Sequence, residues 1–159
     1  MTLLGYRDGL GSKNGVSYLE LAEFITRQGV KVKEDLIELW SRIVFNVCIS
    51  NTDDRLRNHG FILDRGGWRL SPVYDINPIY NGRGLSLNID EKDNSLSLDL
   101  ALEVCEYFEL NKIQAREIIS RIQLSVQNWK SIAEKYGISR AEQELMRTAF
   151  IQSGIVLED

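Results

Sequence analysis

The sequence predicts a mainly α domain carrying one small β-hairpin, and three observations predict it. Apolar residues recur at helical spacing before residue 50 and again after residue 96. Between those regions, "GFILDRGGWRLS" alternates apolar and polar residues around a Gly-Gly turn. No Pro/Ser tract and no internal repeat divides the chain, so its 159 residues read as one domain.

The first helix opens at Ser17, which forms a capping-box pattern with Glu20. Leu21 and Ile25 supply its apolar positions, and Gly29 stops it. Next, "EDLIELWSRIVFNVCIS" places Leu36, Trp40, Ile43 and Val47 on one helical face, and Leu39, Val44 and Cys48 widen it. A face this wide predicts a central, buried helix. The hairpin arms are Phe61–Leu63 and Trp68–Leu70, and the Asp64-Arg65-Gly66-Gly67 turn has glycines for the positive φ it requires. Leu85, Leu87 and Ile89 alternate with polar residues, which predicts a short strand or extended arm. Three helices follow: Leu98 to Phe108, Ile113 to about Tyr136, and one running from a Ser139–Glu142 capping box to a stop at Ser153-Gly154. In the long one, Ile118, Ile122, Val126, Trp129 and Ala133 form the expected core stripe.

Composition narrows the function classes. Hydrophobic residues at 43% and charged residues at 26% are those of a globular domain. Charge interrupts every apolar run before the roughly 18 residues a bilayer span requires, so no membrane partner is expected. The segment "MTLLGYRDGLGSK" lacks a signal-peptide pattern, which makes the cytoplasm the expected location. Cys48 and Cys105 are lone residues in apolar surroundings and read as core thiols. A net charge of −4 and a pI near 5.1 argue against direct nucleic-acid binding.

Polar chemistry concentrates in residues 48–78, "CISNTDDRLRNHGFILDRGGWRLSPVYDINP". Ser50, Asn51, Thr52 and Asp53 are good N-cap residues that could end one helix and begin another, and Asp75 could be a turn acid. The alternative is a reaction centre, in which a buried helix leads into a loop and a hairpin returns a second Asp to it. Phosphoryl transfer from ATP asks for that arrangement: one carboxylate orients the acceptor hydroxyl, while an amide oxygen and another carboxylate hold Mg²⁺. The offset from Asp53 to Asn58 equals that of a protein-kinase catalytic loop, and Asp75 follows where a second metal-binding acid belongs. Asp54 reads as a first-turn acid, and His59 as structural or solvent-facing. Tyr74 and Trp68 are expected to pack beneath Asp75. Asp90 to Asn94 reads as a solvated turn, and "GLGSKNG" at 9–15 as a surface loop near the substrate side.

The segments "FNVCISNTDDRLRNHGFI" and "WRLSPVYDINP" closely resemble the C-terminal region of HipA-family kinases. These are bacterial toxin-type Ser/Thr kinases whose members carry a TDxHxKN-like loop and an L-[ST]-P-x-Y-D segment. The resemblance runs from about Tyr6 into the last helices and is strongest over residues 45–80. It implies a kinase C-lobe-like helical domain over residues 1–159, with the N-terminal nucleotide-covering lobe absent from this chain. By position, Asp53 matches the catalytic Asp, Arg57 the basic residue beside the metal-binding Asn, and Asn58 and Asp75 the magnesium-binding residues. Arg55 departs from the usual histidine. The implied cofactor is Mg²⁺ with ATP as substrate. The implied partners are a nucleotide-covering lobe in cis or trans, a protein substrate and a helix-turn-helix antitoxin. As an isolated fragment the chain is expected to be inactive, and a non-catalytic interaction module is the other reading. A shared ion requires Asn58 and Asp75 to face one cleft, with Asp53 at its edge.

Overall fold

The computed structural model describes residues 2–155. Its axis is the predicted central helix, α2 (Val32–Cys48), which packs against α1 (Tyr18–Gln28) and against the first two helices that follow the hairpin. Leu39, Trp40, Ile43, Val44, Val47 and Cys48 are all fully buried, as the wide apolar face demands. The Trp40 indole N–H donates to the Ala101 carbonyl at 2.9 Å, so even its polar edge is satisfied inside. Among the described residues, no helix is long and apolar enough to cross a membrane.

Ser17 caps α1 by accepting from the Leu19 N–H, but Glu20 does not complete the box. The Tyr6 hydroxyl donates to Glu20 at 2.9 Å, which engages that carboxylate with the N-terminal segment instead. After α2 come β1 (Phe61–Asp64) and β2 (Gly67–Leu70), antiparallel, with Phe61 opposite Leu70 and Asp64 opposite Gly67. Gly66 sits at φ +94° in the two-residue turn, a backbone region open to glycine at no steric cost.

Two buried side chains of α2 fix the hairpin in place. Asp35 accepts from the Leu70 N–H at 2.9 Å and takes Arg69 through hydrogen bonds of 3.0 to 3.1 Å. Arg42 donates to the Ser71 carbonyl at 2.7 Å and pairs with Glu38. Trp68 turns toward Phe24 of α1, so it does not lie beneath Asp75 as expected.

Leu85, Leu87 and Ile89 form the expected extended arm, all but sealed from solvent. Its backbone pairs with the start of α1: the Tyr18 N–H donates to Asn88 O, and the Asn88 N–H to Val16 O, each at 3.0 Å. Beyond it, Asp90 accepts from the Lys92 and Asp93 N–H groups in the expected solvated turn.

The later helices are more broken than the pattern suggests. α3 (Leu98–Glu103) passes into a 3₁₀ turn at Cys105–Phe108. The long predicted helix is two, α4 (Lys112–Gln127) and α5 (Trp129–Lys135), parted at Asn128, a weak helix former. α6 (Arg140–Met146) carries the predicted Ser139–Glu142 capping box and ends in a 3₁₀ run, Arg147–Gly154. Ala115, Ile119 and Val126 are the buried positions of α4, with Ile118 and Ile122 half-buried beside them. Trp129 is not core: it is half-buried and stacks on Phe150, with ring centroids 4.3 Å apart.

Both cysteines are fully buried, and burial pushes the Cys48 thiol up to about 12 and raises that of Cys105 as well. Thiolate is the reactive form. An aromatic disulfide reagent at mildly alkaline pH should therefore label neither cysteine in the native chain and both in denaturant. Prompt native labelling would contradict the packing.

Candidate active site

At the end of α2 the chain bends through Ser50, a non-glycine residue at φ +51°. No α-helix follows. A single 3₁₀ turn forms at Leu56–Asn58 with Arg55 at its N-cap, so Ser50 to Asp53 do not cap a second α-helix. The loop is held from within by Asp54, which is 3% exposed and therefore not a solvent-facing first-turn acid. One Asp54 oxygen, Oδ2, accepts from the Tyr18 hydroxyl at 2.6 Å and the Asn46 amide at 2.7 Å. His59 Nε2 lies 3.0 Å from the same oxygen. Asn46 is itself gripped by Asn51, whose side-chain amide donates to Asn46 Oδ1 at 3.0 Å. A buried carboxylate is tolerated when it is hydrogen-bonded in this way. Burial, then the Asp54 charge and the hydrogen bond to it, raise the Tyr18 pKa well above the ordinary tyrosine value, against a smaller opposing effect of Asn46. The phenol therefore stays a donor.

The residues singled out in the sequence surround this network. The Asp53 side chain is half-exposed and lies 2.7 Å from Arg55 Nε and 3.9 Å from Arg57 Nη2. Arg57 also reaches Asp8 at 3.2 Å. Such exposed pairs add little stability, but they orient the Asp53 carboxylate. Asn58 is 4% exposed, and its side chain makes no hydrogen bond among the described residues. Asp75 is exposed at φ +57°, a conformation Asp tolerates better than most residues, and its Oδ1 accepts from the Asn77 amide at 3.1 Å.

Two hydrogen bonds to backbone carbonyls of the loop bring the Asp75 segment alongside it. The Ser71 N–H donates to Gly60 O at 2.9 Å, and the Tyr74 hydroxyl donates to Arg57 O at 2.8 Å. Gly60 permits this approach, since a Cβ there would stand 2.9 Å from Ser71 Oγ. Tyr74 thus ties the loop to the Asp75 segment rather than packing beneath Asp75. Asn58 and Asp75 each follow directly on one partner of that bond, yet no hydrogen bond joins them to each other. Both retain acceptor oxygens of the kind a hard cation takes. Among the described residues, no three His, Cys, Asp or Glu side chains form a metal cluster.

The sequence reading missed Tyr18, Asn46 and Asn51 as supports of the loop. Asn46 was the detectable signal, being an amide in the middle of an otherwise apolar face.

The family model for the HipA-like C-terminal domain matches residues 1–129. The chain belongs to this family. Among solved structures, the HipA-type fold recurs in HipA from the Shewanella oneidensis MR-1 toxin–antitoxin system, determined with HipB and operator DNA. That likeness has a TM-score of 0.62 at 19% identity, covering 96% of this chain and 36% of that HipA. No curated protein matches the sequence. In this HipA-type domain, α6 and most of α5 lie beyond the family match.

The raised Tyr18 pKa has a pH consequence. Above the ordinary tyrosine pKa, near 10, the unfolded chain sheds a proton that the folded chain keeps, so stability falls as pH rises past that point. Tyr18→Phe should cost about 1–3 kcal/mol at neutral pH and show a shallower alkaline loss than the parent. Urea unfolding at neutral pH and above pH ~10 measures both; parallel alkaline slopes would count against the network.

Proposed function

We propose that this chain carries the catalytic-loop and Mg²⁺-binding residues of a HipA-type protein kinase, whose reaction moves the γ-phosphate of ATP to a Ser or Thr hydroxyl of a protein. One observation carries the reading. A loop bolted to the core by a buried carboxylate presents half-exposed Asp53 at one end and unengaged Asn58 at the other, with the Asp75 segment tied alongside. Asp53 orients the acceptor hydroxyl and receives its proton, and Arg57 steadies Asp53. The Asn58 amide oxygen and the Asp75 carboxylate would hold Mg²⁺, whose charge, when bound, would offset that of the phosphates.

Such transfer is mostly positioning and charge stabilisation. Neither described strand carries a lysine to reach the phosphates, and the Arg65-Gly66 link between β1 and β2 is a tight two-residue turn, too short to cover them. We assign that part to a nucleotide-covering lobe supplied in cis or trans, a view supported by the chain's spanning 36% of the Shewanella HipA. The second reading, a non-catalytic module that binds a helix-turn-helix antitoxin, draws on the capture of that HipA with HipB.

Transfer of labelled γ-phosphate separates the readings. The chain alone should show no appreciable activity, and the chain joined to an upstream lobe should be active. Asp53→Ala in the joined protein should reduce transfer by at least about a hundredfold. Robust activity from the chain alone would refute the assignment of a separate lobe, while an inactive joined protein would favour the antitoxin-binding module.

Metal binding is checked separately by thermal unfolding. Mg²⁺ should raise the melting temperature of the chain by mass action. Asp75→Asn should weaken that rise and leave the metal-free fold intact, since Asn tolerates the same positive φ. Collapse of the metal-free variant would mark Asp75 as a structural residue.

A further inference from the structure

Asp54 and His59 bear a fixed relation to the two ends of the loop. Asp54 directly follows Asp53, His59 directly follows Asn58, and their side chains meet 3.0 Å apart with only 5% and 2% of each exposed. The bond closes a short ring around the 3₁₀ turn, in which the Asn58 N–H donates to Arg55 O and the His59 N–H to Leu56 O. We propose that Asp54 and His59 are positioning residues whose bond sets the separation between the base Asp53 and the metal ligand Asn58. The inference rests on the kinase reading above.

Three features support a positioning role. The ring is not free to turn, because Tyr18 at the start of α1 and Asn46 in α2 bind the same Asp54 oxygen. The imidazole cannot tilt easily either, since it packs edge-on to the Tyr18 ring at 89° and 5.7 Å between centroids. His59 Nδ1 is buried without a partner. The contact from Nε2 to Asp54 is therefore the imidazole's one hydrogen bond among the described residues, and no second one fixes where its ring sits along the loop. The side chains of Asp53 and Asn58 take no part in this bond, the first engaged by Arg55 and Arg57 and the second by no hydrogen bond among the described residues. A rigid interior thus carries two working groups whose own contacts do not hold them apart.

Mn²⁺ alone, as a paramagnetic probe of the whole chain, tests the proposal together with amide hydrogen exchange. In the parent, Mn²⁺ should broaden the NMR signals of Asn58 and Asp75, and the amides of residues 54–59 should exchange slowly. His59→Leu should weaken Mn²⁺ binding about tenfold or more, the usual effect of losing an outer partner of a ligand, and speed exchange in this loop while amides of α2 stay protected. His59→Gln, whose amide nitrogen can take the place of Nε2, should restore both to within about twofold of the parent, a recovery that a general loss of packing would not show. If His59→Leu does not fold, His59→Asn, whose amide falls short of Asp54, takes its place. Unchanged loop exchange and unchanged Mn²⁺ affinity in the variant would overturn the proposal, as would failure of the glutamine variant to recover either. A parent chain with no broadening at either residue would overturn the magnesium reading instead, and the exchange rates would still decide whether this bond holds the loop's shape.

Discussion

A single buried carboxylate oxygen, Asp54 Oδ2, is the point on which this domain's polar interior depends. It gathers groups from α1, from α2 and from the far end of its own loop. Apolar contact is non-directional and would let the loop slide, whereas hydrogen bonds to one oxygen specify where each segment stops. The cost of burying the charge is offset by those donors. The arrangement has the all-or-none quality of buried polar networks, because removing one member leaves the others desolvated and unpaired.

The hairpin extends that order outward. Its strands are too short to be stable by themselves, and they borrow rigidity from α2 through Asp35 and Arg42. Arg42 grips the carbonyl of Ser71, the first residue beyond β2, so the chain leaves the hairpin in a set direction toward Tyr74 and Asp75. The central helix therefore controls both approaches to the candidate site, the loop at its C-terminal end and the hairpin exit along its side.

Most of the architecture was legible in the sequence because periodicity reports burial directly. The width of the apolar face on α2 announced its central place, and the Gly-Gly turn set the hairpin. The break at Asn128 was hidden because the apolar spacing of three and four continues across it, and a pattern of side chains carries no mark of where the backbone changes course. Asp53, Asn58 and Asp75 could be picked out by their offset and by family resemblance. Their supports could not, for Tyr18 lies 36 residues from Asp54 in the chain, and no spacing marks it or Asn46 as a partner of that carboxylate. The one clue was an amide where the face called for an aliphatic residue.

The family match ends at residue 129, yet the packed body does not. Ser50, the first residue of the loop, donates its hydroxyl to the Ala149 carbonyl at 2.9 Å, and Ala149 is completely buried. This contact asks for a backbone oxygen in the right place and a small side chain beneath it, and any small residue meets both terms. The terminal helices can thus drift in sequence while still closing over the start of the loop. A family boundary drawn from sequence can then fall inside one cooperative unit of structure.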